Sequence, residues 1–163
     1  MFDKSQYKAK RLFKEGGYNC CQAVVLAYND LFGLDDGLAA SLASGFGGGM
    51  GRLREVCGSV SGMVFISGLI SPAADPTVKS ARTANYALVQ EMAGKFKEIN
   101  GSIVCKELLE LVPAGSQMSS PSESPEPSDR TADYYKKRPC VEYVACAARI
   151  VAEHINNLNE TRN

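Results

Sequence analysis

The sequence predicts an all-α protein, a small helical bundle of about six or seven helices in one domain spanning residues 1–163. Apolar residues recur at three- and four-residue steps along most of the chain, and glycine and proline separate these stretches. No stretch alternates apolar and polar residues as a half-exposed strand would. A chain of 163 residues with 45% hydrophobic content is long and apolar enough to form a core without structural disulfides.

Four helices are expected before residue 71, each with a recognisable start or stop signal. They cover residues 5–15, 19–32, 38–44 and 54–70. Gly16 and Gly17 end the first helix, and Asn19 is a suitable N-cap for the second. In the fourth, Gly58 and Gly62 lie one turn apart, so a neighbouring backbone can approach closely.

Three further helices are expected at residues 77–99, 103–111 and 140–158, where the helical spacing resumes. Between the last two, residues 113–129 are rich in serine, proline, glutamate and glycine and contain hardly any apolar side chain. Such a segment buries too little apolar surface to offset the entropy of ordering. It is predicted to be a flexible loop within the domain.

Charge and targeting signals exclude several classes of function. Eighteen basic residues balance eighteen acidic ones, so net charge gives no support for binding nucleic acid or an anionic membrane. The polar N-terminal residues lack the apolar segment of a secretory signal, and no apolar run reaches the length of a membrane span. We therefore expect a cytoplasmic protein, in which cysteines are more often free, catalytic or metal-binding than paired.

Four of the six cysteines fall near the predicted start of a helix. They are Cys20, Cys57, Cys105 and Cys140. Unpaired backbone N–H groups and the helix dipole stabilise an anion there, so a lowered thiol pKa is expected. Arg52, close to Cys57 in sequence, would act in the same direction. The competing interpretation is that these cysteines only fill core space, since cysteine is among the most buried residue types.

A glycine-rich turn directly precedes Cys57, in the stretch Phe46-Gly47-Gly48-Gly49-Met50-Gly51-Arg52. It matches neither the dinucleotide-binding nor the P-loop pattern, and nothing before it resembles a strand. We expect its glycines to allow a sharp turn and tight packing against the thiol site. The candidate contacts to any cofactor held at that site are Gly47, Gly48, Gly49 and Gly51.

The cysteine spacing leaves two kinds of site open. No two cysteines form the C-x-x-C pair of a zinc ribbon or a thioredoxin-like site, and Cys20-Cys21 is a vicinal pair. A site built from separate helices is either a dithiol pair or a metal or iron–sulfur centre with Cys20, Cys57, Cys105 and Cys140 as ligands.

These segments together resemble the C_GCAxxG_C_C family of redox-active proteins. The similarity lies in Asn19-Cys20-x-Gln22, the glycine turn, Cys57-Gly58-Ser59-Val60-Ser61-Gly62, Cys105-x-Glu107 and Pro139-Cys140. The resemblance implies that the same four cysteines are the functional ones. Ser59 stands where the family name has alanine, and the serine- and proline-rich insert before Cys140 departs from the pattern.

The leading hypothesis is therefore a redox protein, either an oxidoreductase or an electron carrier. In its thiol version Cys57 attacks, Arg52 favours the thiolate, and another of the four cysteines resolves the mixed disulfide. The expected partners are a redox protein, a small thiol or an electron donor, and a homodimer is left open. The alternative is a non-enzymatic helical scaffold or metal-binding partner protein.

Overall fold

The protein is all-α, as the sequence predicted, in a computed structural model that describes residues 2–113, 115–118 and 124–162. The helices are α1 (Phe2–Lys14), α2 (Cys20–Leu26), α3 (Asn29–Phe32), α4 (Asp36–Ala43), α5 (Gly58–Ile70), α6 (Lys79–Asn100), α7 (Cys105–Leu108), α8 (Ala132–Lys137) and α9 (Cys140–Glu160). Two of them, α3 and α7, are a single turn of four residues, so helices are more numerous than expected. Among the residues that the structure describes no strand forms, and one isolated antiparallel bridge joins Val56 to Val104.

Two helix pairs enclose the core. Helix α1 packs along α9 and α2 packs along α5, while α6 contacts both α5 and α9. The largest fully buried side chains include Phe13, Met63, Ile66, Phe96 and Ile150. Because burying one such side chain contributes about 1.5–3 kcal/mol, apolar packing holds the fold together. All six cysteines are free thiols.

The structure contains no helix that is both long and apolar enough to cross a bilayer, within the residues it describes.

The predicted helix 19–32 is divided into α2 and α3. Asn19 caps α2 as expected: its side chain accepts from the Gln22 N–H at 2.9 Å, and the Gln22 side chain accepts from the Asn19 N–H at 3.0 Å. Tyr28, with φ −120° and ψ −4°, interrupts the helix before α3. Gly33 then ends α3 in the left-handed conformation.

The prediction that a helix begins at Arg54 is wrong, because α5 begins at Gly58. Arg54 has a φ of 61°, which a right-handed helix cannot contain. The residues that follow are extended instead, and the Cys57 N–H donates to the Ile103 carbonyl at 2.8 Å. Cys57 is consequently the N-cap residue of α5.

The glycine turn is left-handed over most of its length. Positive φ angles occur at Gly48, Gly49, Met50, Gly51 and Arg52. The turn is closed by the Arg54 and Glu55 N–H groups, which donate to the carbonyls of Gly48 and Gly49 at 3.2 and 3.0 Å. Residues other than glycine cost on the order of 1–2 kcal/mol each in this conformation, so backbone strain is stored beside Cys57.

Only part of the predicted flexible loop, 113–129, falls within the described residues, because 114 and 119–123 lie outside them. Residues 124–130 follow a non-helical path that leads to α8. Helix α8 was not predicted, and Thr131 caps it by accepting from the Tyr134 N–H at 3.1 Å.

Candidate functional site

The four cysteines named from the sequence line one small cavity, here called the cysteine cavity. Cys20, Cys105 and Cys140 are the first residues of α2, α7 and α9, and Cys57 precedes α5. The cavity has a volume of about 60 Å³. Side chains that are far apart in sequence therefore meet at one place, and each is held at a helix start.

Two glycines allow this close approach. A Cβ atom on Gly58 would overlap the Sγ of Cys20 and would lie 2.8 Å from the Phe46 carbonyl oxygen. A Cβ atom on Gly49 would lie 2.6 Å from the Cβ of Cys105, and Gly49 also has a φ of 69°. Glycine at both positions is thus required by the positions of Cys20 and Cys105.

A short pairing of backbones connects Cys57 and Cys105. The Cys57 N–H donates to Ile103, and the Cys105 N–H donates to the Glu55 carbonyl at 2.6 Å. The isolated bridge between Val56 and Val104 lies between these two bonds. This pairing fixes two of the four thiols relative to each other without a helix–helix contact.

Burial raises the pKa of three of the cavity thiols. It is the main cause for Cys57, where the nearby Cys20 thiolate would add to the effect. For Cys140 burial raises the pKa to about 12, and the pKa of Cys105 is also raised. The prediction that a helix start lowers the pKa is therefore wrong for these three, because desolvation outweighs it. Their thiols are protonated near neutral pH.

Two arginines oppose this effect at the cavity. Arg54 is only 2% exposed, and its Nη1 lies 3.8 Å from the Sγ of Cys105. Arg54 and Arg138 both line the cavity, and both lower the pKa of Cys105 and Cys140. They favour thiolate at these two cysteines, against the larger effect of burial.

Arg52, the arginine favoured from the sequence, lies outside the cysteine cavity. It lines a larger neighbouring pocket of about 250 Å³, here called the vestibule, and its Nη1 donates to the Ser128 Oγ at 3.1 Å. Among the glycines, Gly48 lines both spaces, and Gly47 and Gly51 line only the vestibule.

The remaining two cysteines belong to the core. Cys21 is fully buried among apolar residues of α2 and α4, and burial raises its pKa to about 12. Cys146 is buried in the main core, and its Sγ accepts from the Asn100 Nδ2 at 3.4 Å. Neither lines the cysteine cavity.

The donor set of the cysteine cavity fits a soft metal, since four thiols are the ligands that such ions prefer. Over the described residues, however, no three cysteine, histidine, aspartate or glutamate side chains are arranged to hold an ion. The thiols would have to turn toward a common centre before they could bind one.

Sequence reasoning missed two residues of the site, Arg130 and Tyr143, and one of the two roles of Asn19. Asn19 caps α2 and also donates from Nδ2 to the Ser44 carbonyl at 2.8 Å, which fixes the start of the glycine turn against Cys20. Arg130, directly after the serine- and proline-rich segment, and Tyr143 from α9 line the cavity too. The cap signal identified Asn19, but nothing local indicated its second bond or the role of Arg130.

The fold and the site define a small all-α protein in which four cysteines at helix starts line one cavity. The chain matches, over residues 18–154, the family described as Putative redox-active protein (C_GCAxxG_C_C), and it belongs to that family. No curated protein and no solved structure gives a match.

Proposed function

We propose that the chain is a thiol redox protein in which Cys20 and Cys57 form the exchanging pair. The observation that supports this most directly is the contact of Cys20 Sγ with Gly58, the residue that follows Cys57. Cys20 is also the thiol that most affects the pKa of Cys57. Both residues line one cavity, and oxidation of two such thiols to a disulfide is the requirement for exchange with a disulfide substrate.

The different burial of the two thiols supports distinct roles. Cys20 is half-buried, whereas Cys57 is only 6% exposed and its pKa is raised. An attacking thiol must be accessible, while a resolving thiol needs to reach only its partner. We therefore assign the attack to Cys20 and the resolving step to Cys57, the reverse of the roles expected from the sequence.

The proposed reaction proceeds in two displacements. Cys20 loses its proton, its sulfur attacks one sulfur of a disulfide substrate, and the released substrate thiolate takes up a proton. Cys57 then loses its proton and attacks the Cys20 sulfur, so that the second substrate thiol leaves. The substrate is reduced to two thiols, and Cys20 and Cys57 are oxidised to one disulfide. An external dithiol or electron donor restores them.

The electrostatics of the pair suit this order. Part of the raised pKa of Cys57 comes from the negative charge that Cys20 carries as a thiolate. Once Cys20 is bound in a mixed disulfide, that charge is gone and Cys57 is more easily deprotonated. Burial, the larger cause of the raised pKa of Cys57, is unchanged by the first step, so only the smaller contribution is removed.

Trapping of the mixed disulfide tests the assignment. Cys57→Ser should accumulate a mixed disulfide at Cys20 when a small disulfide is added, whereas Cys20→Ser should form none at Cys57. Cys21→Ser is the matched control, because Cys21 is adjacent in sequence but buried away from the cavity. A mixed disulfide that accumulates at Cys57 in Cys20→Ser would refute the roles.

A second candidate function is ligation of a soft metal or an iron–sulfur cluster. It is favoured by the presence of four thiols at one cavity, when exchange needs only two. Cys20, Cys57, Cys105 and Cys140 would hold the group, which would supply electron transfer when bound. Arg54 and Arg138 would offset the charge of the thiolates.

Elemental analysis of anaerobically purified protein tests this candidate. Bound iron with sulfide, or another soft metal, should be present in the native chain and lost in Cys105→Ser and Cys140→Ser. Native protein without metal would refute it and leave the exchange mechanism standing. Cysteines that are not paired in structural disulfides, in either version, fit a reducing compartment such as the cytoplasm.

A further inference from the structure

Residues 124–131, here called the strap, lie beside the cysteine cavity and form one wall of the vestibule. Pro125, Pro127 and Ser128 of the strap line the vestibule, and the glycine turn lines it as well. Arg130, near the end of the strap, lines both the vestibule and the cavity. The two spaces therefore adjoin at the strap.

Arg130 fastens the strap to the part of the chain that precedes Cys20. Its Nη1 donates to the Phe13 carbonyl and its Nη2 donates to the Tyr18 carbonyl, each at 3.4 Å. The guanidinium also stacks on the Phe13 ring, with its Cζ 4.4 Å from the ring centre. Tyr18 lies only two residues before Cys20. One side chain thus joins the strap to the immediate surroundings of the half-buried thiol.

A second bond joins the strap to the glycine turn across the vestibule. The Arg52 Nη1 donates to the Ser128 Oγ at 3.1 Å. Arg52 belongs to the glycine turn and Ser128 to the strap, so this bond connects two walls of the same space. The strap is consequently fastened at two points by side-chain hydrogen bonds.

Burial contributes little to the position of the strap. Of residues 124–130, only Ser128 is half-buried, and the others are exposed. The Thr131 N–H bonds within the strap, to the Asp129 carbonyl at 3.0 Å. A segment with few buried contacts and exposed hydrogen bonds opens at low free energy while the rest of the protein stays folded. The strap can therefore leave its position without exposing the core.

The size of the cysteine cavity gives the strap a reason to move. The cavity has a volume of about 60 Å³, which is about the space of two water molecules in the liquid. A disulfide substrate has two sulfurs and a substituent on each, and the first displacement brings one of these sulfurs to the Cys20 Sγ. The closed cavity is too small for such a molecule.

We propose that the strap is a lid on the cysteine cavity, fastened by Arg130 and Ser128, and that it opens to admit the substrate to Cys20. This inference rests on the proposed function for the nature of the substrate, whereas the lid depends only on the contacts above. When Arg130 withdraws, water can satisfy the Phe13 and Tyr18 carbonyls. A bulky reagent reacts only with the open state, so its rate measures the open fraction.

Modification of Cys20 by reagents of two sizes tests the lid. The reduced native chain is treated with N-methylmaleimide or with the bulky N-pyrenylmaleimide, both uncharged, and peptide mass spectrometry gives each rate at Cys20. Arg130→Gln should raise the rate of the bulky reagent relative to the small one by about tenfold or more, the effect of losing one charge-assisted hydrogen bond. Ser128→Ala removes only the bond from Arg52 and should raise the same ratio by a smaller factor.

Two controls separate opening of the lid from other effects. Arg138→Gln removes a charge that also lines both spaces but lies outside the strap. A changed thiolate fraction alters both rates alike, so this variant should leave their ratio unchanged. Cys21 is fully buried and reports unfolding, so it should stay slow in every variant. A ratio that rises no more in Arg130→Gln than in Arg138→Gln, or equal acceleration at Cys20 and Cys21, would overturn the proposal.

Disulfide exchange by the native chain distinguishes failure of the lid from failure of the proposed function. If Arg130→Gln raises the ratio but the native chain does not exchange disulfides, the proposed function is refuted and the lid remains. If the native chain exchanges disulfides through Cys20 but the ratio is the same in Arg130→Gln, the lid is refuted and the proposed function remains.

Discussion

The Sγ of Cys20 rests directly on Gly58, where any side chain would overlap it. Cys20 begins α2, and Gly58 begins α5, so this contact sets how closely the first turns of the two helices approach. Gly58 immediately follows Cys57. The absence of one Cβ atom therefore lets the half-buried Cys20 thiol contact the residue that follows the buried Cys57.

Gly58→Ala should destabilise the protein and weaken the reaction of Cys20 with disulfides. The added methyl would overlap Cys20 Sγ and press on the Phe46 carbonyl, and overpacking of this kind costs about 1–3 kcal/mol. Gly68→Ala is the control on the same helix, because a Cβ there would meet nothing within 4 Å. It should stabilise by about 0.5–1 kcal/mol. Equal unfolding free energies in urea for the two variants would contradict this account.

Stability of the reduced, metal-free protein should fall as the pH rises above about 8.5, where thiols of the unfolded chain ionise. Burial raises the pKa of Cys21 and Cys140 to about 12 and also raises that of Cys57, so the folded state keeps these protons longer. The stabilisation that these protonated thiols give the folded state is complete below pH ~8.5. It is lost as the pH rises toward their pKa values in the folded state.

The free energy of unfolding should decline by at most about 1.4 kcal/mol per pH unit for each thiol whose pKa is raised by burial. Urea unfolding between about pH 7.5 and pH 10 measures it, and Cys21→Ser should show a smaller slope. A slope that is the same in Cys21→Ser and the native chain would show that burial does not control the ionisation of Cys21.

Met50→Gly should stabilise the protein by up to about 1 kcal/mol, because Met50 has a φ of 68° that glycine adopts without strain. Its side chain is 48% exposed, so little packing is lost. Leu53→Gly is the control, since Leu53 is an exposed neighbour outside the positive-φ set. It should destabilise, and chemical denaturation of both variants measures the difference. Destabilisation by Met50→Gly would refute the strain argument.

The sequence predicted those features that depend on nearby residues. Asn19 caps α2 through reciprocal hydrogen bonds with Gln22, three residues further on. Cys20 follows Asn19 as the first residue of the helix. The spacing of apolar residues along α6 and α9 reflects faces that pack in the core. These patterns need no knowledge of the tertiary structure.

The features that were missed depend on contacts between distant segments. Nothing near Arg54 indicates a positive φ, so the start of α5 was placed too early. The burial that raises the pKa of Cys57 comes from helices packed around it, and it outweighs the local effect of the helix start. Arg130, which directly follows the segment predicted to be a loop, reaches the cavity through contacts that its own stretch of sequence does not indicate. The conformation of Arg54, the raised pKa of Cys57 and the position of Arg130 all depend on tertiary packing and not on the neighbouring sequence.

The central claim is that Cys20 and Cys57 are oxidised together, and peptide mapping of the oxidised protein tests it most directly. The native chain is exposed to a small disulfide oxidant, the remaining thiols are blocked, and the digest is analysed by mass spectrometry. We predict one disulfide between Cys20 and Cys57, with Cys21 and Cys146 still reduced. A stable product that pairs Cys105 with Cys140 alone, or no disulfide among the four cavity cysteines, would contradict the account.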